Sequence, residues 1–177
     1  YFSRNSAATR VNAQGLVENV QILSGDLIQN GSFSQIGAEG VTNGSFTNGS
    51  TDWTLGTGWS IGDDKAINDG SVVGNSYLIS TGNTLTIGKT YKVQYTILDY
   101  IQGNVRVRAG QASSIFVSAD GTYTEYMVAT STESVRVQGN SNFIGSVTNI
   151  SVKEVGQDWT FGDGFTPDQA NSKATCD

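Results

Sequence analysis

Eight consecutive residues, Tyr91–Leu98, alternate between two faces: Tyr91, Val93, Tyr95 and Ile97 on one, Lys92, Gln94 and Thr96 on the other. Successive side chains of a strand point to opposite sides of a sheet, so an alternation of period two is half-buried only as β-structure. The pattern returns in Asn104–Arg108, with Val105 and Val107 set against Arg106 and Arg108. It returns again in Ser134–Gln138, with Val135 and Val137 set against Arg136 and Gln138. Tyr123–Ala129 reads as a further strand after the Asp120-Gly121 turn, and Phe143, Val147, Ile150 and Val152 belong to closing strands. Leu85 and Ile87 lead into a Gly88-Lys89 turn ahead of the Tyr91 strand. Gly, Asn, Ser and Asp clusters separate these runs at intervals of about 8–12 residues, the rhythm of a sandwich or barrel. Helical periodicity is nowhere sustained; Asn12–Ile28 comes nearest, and Gly15 and Gly25 interrupt it. The expected fold is all-β, with about eight half-buried strands packed as a two-sheet sandwich.

A long-range repeat sets the expected organisation. Asp52-Trp-Thr-Leu-Gly-Thr-Gly-Trp59 returns as Asp158-Trp-Thr-Phe-Gly-Asp-Gly-Phe165, an offset of 106 residues. Each copy is followed by a Lys-Ala pair, Lys65-Ala66 and Lys173-Ala174. The chain therefore divides into an N-terminal arm or connector (1–40), a complete module (41–155) and the start of a second, incomplete module (156–177). In the arm, Thr9–Val17 reads as a hairpin, with Asn12 suited to the first position of a type I turn and Gly15 to its last or to a left-handed bulge position. Leu27-Ile-Gln-Asn-Gly-Ser-Phe33 echoes Val41-Thr-Asn-Gly-Ser-Phe46, and two copies are too few for a solenoid. The chain begins at Tyr1 and holds one methionine, Met127, as expected of a processed chain or a piece of a longer one.

Composition excludes several chemistries. The chain contains no histidine, so Ser-His-Asp and Cys-His triads and His-based zinc sites have no members to draw on. The single cysteine, Cys176, has no intramolecular partner for a disulfide. A net charge of −6 over 177 residues disfavours nucleic acid as the partner, because phosphate binding needs a basic surface. No stretch approaches the roughly 20 apolar residues of a membrane-spanning helix. Carboxylates such as Asp52, Asp69, Asp99, Asp120, Glu125 and Glu133 fall in no pairing motif, and Asp63-Asp64 has turn chemistry. The expectation is a non-enzymatic protein without cofactor.

Asn43-Gly-Ser-Phe46, Trp53, Trp59, Gly88-Lys-Thr-Tyr91 and Val147-Thr-Asn-Ile-Ser-Val152 together resemble the carbohydrate-binding-module-like jelly rolls, found beside glycoside hydrolases and in tandem in bacteriophage virion proteins. The N-terminal phrase Phe2–Glu18 resembles one recurrent in phage tail fibres and other virion structural proteins. The resemblance implies a jelly-roll-like β-sandwich in a phage appendage, tail fibre or capsid fibre, located on the virion or outside the cell. Its implied partners are other virion proteins, further copies of the chain (a trimer by family habit) and host surface glycans. Related modules carry a structural calcium ion near their first and last strands. Thr148 and Thr47 stand here where the family has acidic residues, so no metal is expected.

A sugar site needs an aromatic platform and planar polar groups. The outward row of Lys92, Gln94, Arg106, Arg108, Arg136 and Gln138, taken as lying together on one sheet, is the candidate carbohydrate-binding surface, with Tyr100 and Trp53 as stacking partners. The competing reading of the same row is a solvated face, or one paired with Glu125 and Glu133. Trp59, Tyr91 and Tyr95 read as core. The alternatives to a virion protein are a glycan-binding module of a secreted bacterial hydrolase or adhesin, and an extracellular filament subunit.

Overall fold

The computed structural model describes residues 9–11, 14–15, 17–19, 36–156, 165–168 and 173–176. All regular structure in them is β. The Leu27–Phe33 echo and most of the second Asp-Trp-Thr copy lie outside the described residues. Two short strands, β1 (Thr9–Val11) and β2 (Val17–Asn19), pair antiparallel with Val11 opposite Val17, and Gly15 in the turn has φ 76°. This is the hairpin expected from the sequence.

The body of the fold is a sandwich whose two layers share the same two long strands. These are β8 (Thr90–Ala109) and β11 (Arg136–Val155), antiparallel along almost their full length. The sequence reading divided β8 into two strands; it is one strand that bends. Asp99 and Gly103 turn β8 with φ 55° and 77°, and Asn142 turns β11 with φ 57°. Asp, Asn and Gly are the residues that enter the left-handed region most cheaply. The β8/β11 register also shifts between Asn140 and Ile144, where bulges let a paired ribbon bend without losing its ladder. A Cβ at Gly103 would lie 2.5 Å from Phe143 Cα, so the close crossing there admits only glycine.

The bend assigns each half of the ribbon to its own layer. In the first, the N-terminal half of β8 pairs with β10 (Gly121–Val128) on one side and the C-terminal half of β11 on the other. That half of β11 in turn pairs with β6 (Lys65–Asp69), which pairs with β5 (Trp59–Gly62). β3 (Ile36–Glu39), ahead of the module boundary read at Val41, also pairs with β11. In the second layer, the C-terminal half of β8 pairs with β9 (Ala112–Ser113) and with the first residues of β11. β11 then pairs with β7 (Ser76–Ser80), and β7 with β4 (Trp53–Leu55). Val93, Tyr95 and Ile97 from one half of β8 and Val105 and Val107 from the other are fully buried in the same core, with Leu78, Val137, Val147 and Val152. Each such aliphatic side chain contributes roughly 1.5–3 kcal/mol by leaving water. Trp59, Tyr91 and Tyr95 are core residues, whereas Ile87 is 62% exposed because its loop is not a strand.

The repeated motifs are structural. Asn43, at φ 52°, ties its loop together: its side-chain amide donates to the Gly49 and Thr51 carbonyls at 3.0 and 2.8 Å, and its Oδ1 accepts from Asn48 N–H at 3.1 Å. Its carbonyl accepts from Trp53 Nε1–H at 3.1 Å, and the Trp53 ring packs 5.2 Å from Phe46. Gly44 meets the closing strand face on; a Cβ there would lie 1.9 Å from the Ile150 carbonyl oxygen. Gly56 N–H donates to the Tyr77 carbonyl at 2.8 Å, and its own Cβ would clash with that oxygen at 2.5 Å. After Trp59, β5 turns into β6 through Asp63 and Asp64, at φ 51° and 56°, which places Gly62 opposite Lys65 and Trp59 opposite Asn68. The C-terminal strands β12 (Phe165–Asp168) and β13 (Lys173–Cys176) repeat that register, with Asp168 opposite Lys173 and Phe165 opposite Cys176. The same motif positions thus pair in both copies, across two intervening residues in β5/β6 and four in β12/β13.

The Gly44 contact predicts an asymmetric glycine series. Gly44→Ala should destabilise by well over the ~1 kcal/mol scale of tolerated glycine changes. Gly49→Ala, at φ 61° with open space around it, should cost only about 1–2 kcal/mol of left-handed strain. Urea denaturation of the two variants measures this; equal midpoints would refute the role given to Gly44.

Candidate functional site

The bend in the ribbon divides the outward row of the sequence reading. Lys92 and Gln94 lie on the outer face of the first layer, opposite Lys153 and Ser151 of β11 and Tyr126 and Thr124 of β10. Arg106, Arg108, Arg136 and Gln138 lie on the outer face of the second layer. The expectation of a single row is corrected for that reason: an alternation keeps its phase through a bend while its outer face turns away.

Both expected stacking aromatics are engaged within the fold, and for Trp53 the expectation is corrected. Trp53 is 6% exposed, with its ring on Phe46 and its indole N–H committed to the Asn43 carbonyl, so it presents no platform. Tyr100 staples the bend: its hydroxyl donates to the Gly103 carbonyl at 2.9 Å and its N–H to Asp120 Oδ1 at 2.9 Å. Gln138, 2% exposed, is a support rather than a contact surface. It accepts from Arg106 Nε–H at 3.0 Å and donates from Nε2 to Asn75 Oδ1 at 2.7 Å, which fixes the direction of its amide.

What the second layer assembles is a ridge of arginines running into an aromatic cleft. One row crosses the strands from Arg106 through Gln138 to Tyr77, with Gly56 beyond it. The next runs from Ser113 through Arg108 and Arg136 to Ile79 and Thr54. Strands spaced about 4.8 Å apart make each row roughly 15–20 Å long. The Arg106 guanidinium lies 4.3 Å over the Phe116 ring, a cation–π contact. Arg108 Nε–H donates to Ser113 Oγ at 3.1 Å. Arg136 forms an ion pair with Glu133. At the far end a cleft of about 290 Å³ is lined by Thr54, Thr57, Val72, Asn75 and Tyr77. Tyr77, Asn75 and Phe116 escaped the sequence reading. Tyr77 stands in a short Ser-Tyr-Leu-Ile-Ser alternation that signals a strand, but only the pairing with β11 sets it beside the arginines.

The electrostatics of the ridge are those of a crowded cationic surface. Arg108 and Arg136 are direct cross-strand partners, an arrangement that destabilises a sheet. Glu133 relieves part of it; the Arg136 hydrogen bond holds its carboxyl below the usual carboxylate range. Pairing of this face with an acidic residue was one of the two readings of the row. The partner is three residues from Arg136 on the chain, not across the strands. On the first layer, Lys65 Nζ lies 2.7 Å from Asp99 Oδ2, which also accepts from Ser146 Oγ–H at 3.1 Å. Those hydrogen bonds, with the lysine's charge, lower the Asp99 carboxyl. Asp99 and Glu133 are thus held ionised, the opposite of the raised carboxyl a glycosidase acid requires.

The calcium position of the resembled family does not fit this chain. Thr148 spends its hydroxyl on the Asp64 carbonyl at 2.9 Å, and Thr47 is exposed in its turn. Among the described residues no three Asp, Glu or Cys side chains converge.

No protein-family model and no curated protein sequence matches the chain. Among solved structures it is similar to variants of a family 29 carbohydrate-binding module. One is 13% identical, with 59% of this chain and 78% of that chain covered and a TM-score of 0.37. A second is 12% identical, with 59% and 80% covered and a TM-score of 0.36.

The depressed carboxyls make a pH prediction. A carboxyl lowered by folding adds stability above its unfolded pKa and loses it as pH falls through the folded value. The wild-type melting temperature should therefore drop below about pH 4, and Glu133→Gln or Asp99→Asn should each make that drop shallower. Curves parallel to wild type would remove both pairs from the account of acid stability.

Proposed function

We propose that this chain is a non-catalytic glycan-binding β-sandwich that forms part of a bacteriophage appendage, such as a tail fibre, and touches sugars on the host surface. The observation that carries the glycan reading is the outer face of the second layer. Tyr77 lines the cleft and supplies an aromatic surface for the apolar side of a sugar ring. Asn75, Thr54 and Thr57 supply polar groups beside it, and the arginines continue the surface over the length of a short oligosaccharide. A preformed sheet face with side chains fixed by Gln138 and Phe116 binds without first having to be ordered.

The non-catalytic reading is supported by the ionised state of Asp99 and Glu133, each committed to its own cation. The virion setting is supported by the N-terminal phrase Phe2–Glu18 and by recurrence of the β5/β6 hairpin register in β12/β13, as in appendages assembled from tandem modules. A glycan-binding module of a secreted hydrolase or adhesin would use the same face in a different setting.

Two measurements test this reading. Tyr77→Ala should weaken retention on immobilised host-surface polysaccharide about tenfold, equivalent to roughly 1.4 kcal/mol, with a nearly unchanged melting temperature. Undiminished retention would remove the cleft from the binding surface. Electron microscopy of the purified native assembly should show trimeric spikes on a capsid or tail. Single particles of monomer mass would exclude the appendage and favour an excised binding module.

A further inference from the structure

The chain carries 16 acidic and 10 basic residues, and the basic residues are not distributed alike. Lys65, Lys89 and Lys153 each pair with a carboxylate, Asp99, Glu154 and Glu39 respectively. The arginines are less fully paired, although the charge of Glu133 also acts on Arg108. Three of the chain's five arginines stand together on the second layer, with Glu133 as the one carboxylate paired there among the described residues. The hydrogen-bond partners of the other two are neutral: Gln138 for Arg106, and Ser113 with the Gln111 carbonyl for Arg108. Arg108 and Arg136 face each other directly, a repulsion that stability alone would select against.

From this we infer that the face is specific for acidic polysaccharides, whose carboxylate or sulfate groups complete the arginine cluster while their rings stack at Tyr77. This deepens the glycan-binding reading and rests on it. Arginine suits the task because its planar fork matches a carboxylate or sulfate with two parallel hydrogen bonds. Glu133 already shows the chemistry within the chain, as a carboxylate seated on Arg136. Exposed apolar side chains adjoin the face in sequence, Val73 (86% exposed) next to the cleft-lining Val72 and Ile115 (73%) next to Phe116, which suits a partner with apolar ring faces as well as charge. An overall charge of −6 repels polyanions at long range, so capture of one has to come from this local cluster.

Affinity electrophoresis of the full chain tests this, in gels containing polygalacturonate, dextran sulfate, neutral galactomannan or neutral dextran. Retardation by polygalacturonate or dextran sulfate and not by the neutral gels supports the inference, and the acidic gel that retards more identifies carboxylate or sulfate. Arg108→Gln should then abolish most of the retardation, Arg108→Lys should restore part of it, and Lys92→Gln on the first layer should leave it unchanged. Equal retardation by galactomannan, insensitive to Arg108→Gln, would overturn the acidic specificity and leave sugar binding intact. No retardation in any gel would overturn both readings. Competition by single-stranded DNA as strong as by polygalacturonate would mark a general polyanion surface and overturn the inference as well.

Discussion

The antiparallel pairing of β8 with β11 through a shared bend is the constraint on which the rest of this structure depends. Twenty residues of each strand run side by side, and both layers of the sandwich grow outward from that ribbon. A straight ribbon would leave one inward row exposed. The bend instead folds Val105 and Val107 onto the same core as Val93, Tyr95 and Ile97. Its conditions are local and chemical: Asp99, Gly103 and Asn142 take left-handed backbone angles, and the register slips where the strands turn. Tyr100 then locks the corner with its hydroxyl on the Gly103 carbonyl.

The same bend shapes the candidate surface. By sending the two halves of β8 to different layers it separates Lys92 and Gln94 from Arg106 and Arg108. It also brings β7 beside β11, and with it Tyr77 beside Gln138. Gln138 becomes a buried bridge between Arg106 and Asn75, so the arginine ridge and the cleft are joined through one amide. Repulsion between Arg108 and Arg136 is tolerated because Glu133 sits beside Arg136 and because both side chains reach solvent.

The turn motifs have a different role. Asn43, Gly44, Phe46, Trp53, Gly56 and Trp59 fall in the segment that carries the resemblance to jelly-roll modules, and of them Trp53 reads in sequence as a stacking partner. In the fold they dock the first loops onto Ile150 and Tyr77. Trp53 is the instructive case. A tryptophan in a Gly- and Thr-rich segment reads as an exposed platform, yet the Asn43 carbonyl offers its indole N–H a partner and Phe46 covers its ring. Near the C-terminus the described part of the recurrence is the β12/β13 pairing, with Phe165 opposite Cys176.

The sequence by itself determined the all-β class, the inward residues of each strand, the turn at Asp63-Asp64 and the hairpin around Gly15. These are set by interactions between near neighbours: the two-residue period of a strand and the few residue types that accept a positive φ. It also marked Arg106, Arg108, Arg136 and Gln138 as outward, correctly in direction though not in exposure for Gln138. Only the tertiary structure decided which of those residues share a face, that Trp53 is covered and that Tyr77 lies in the cleft. Those facts depend on which strand pairs with which across tens of residues of chain, and on where a ribbon bends. Local alternation is identical for a straight strand and a bent one, so the composition of the site was legible in the sequence while its assembly was not.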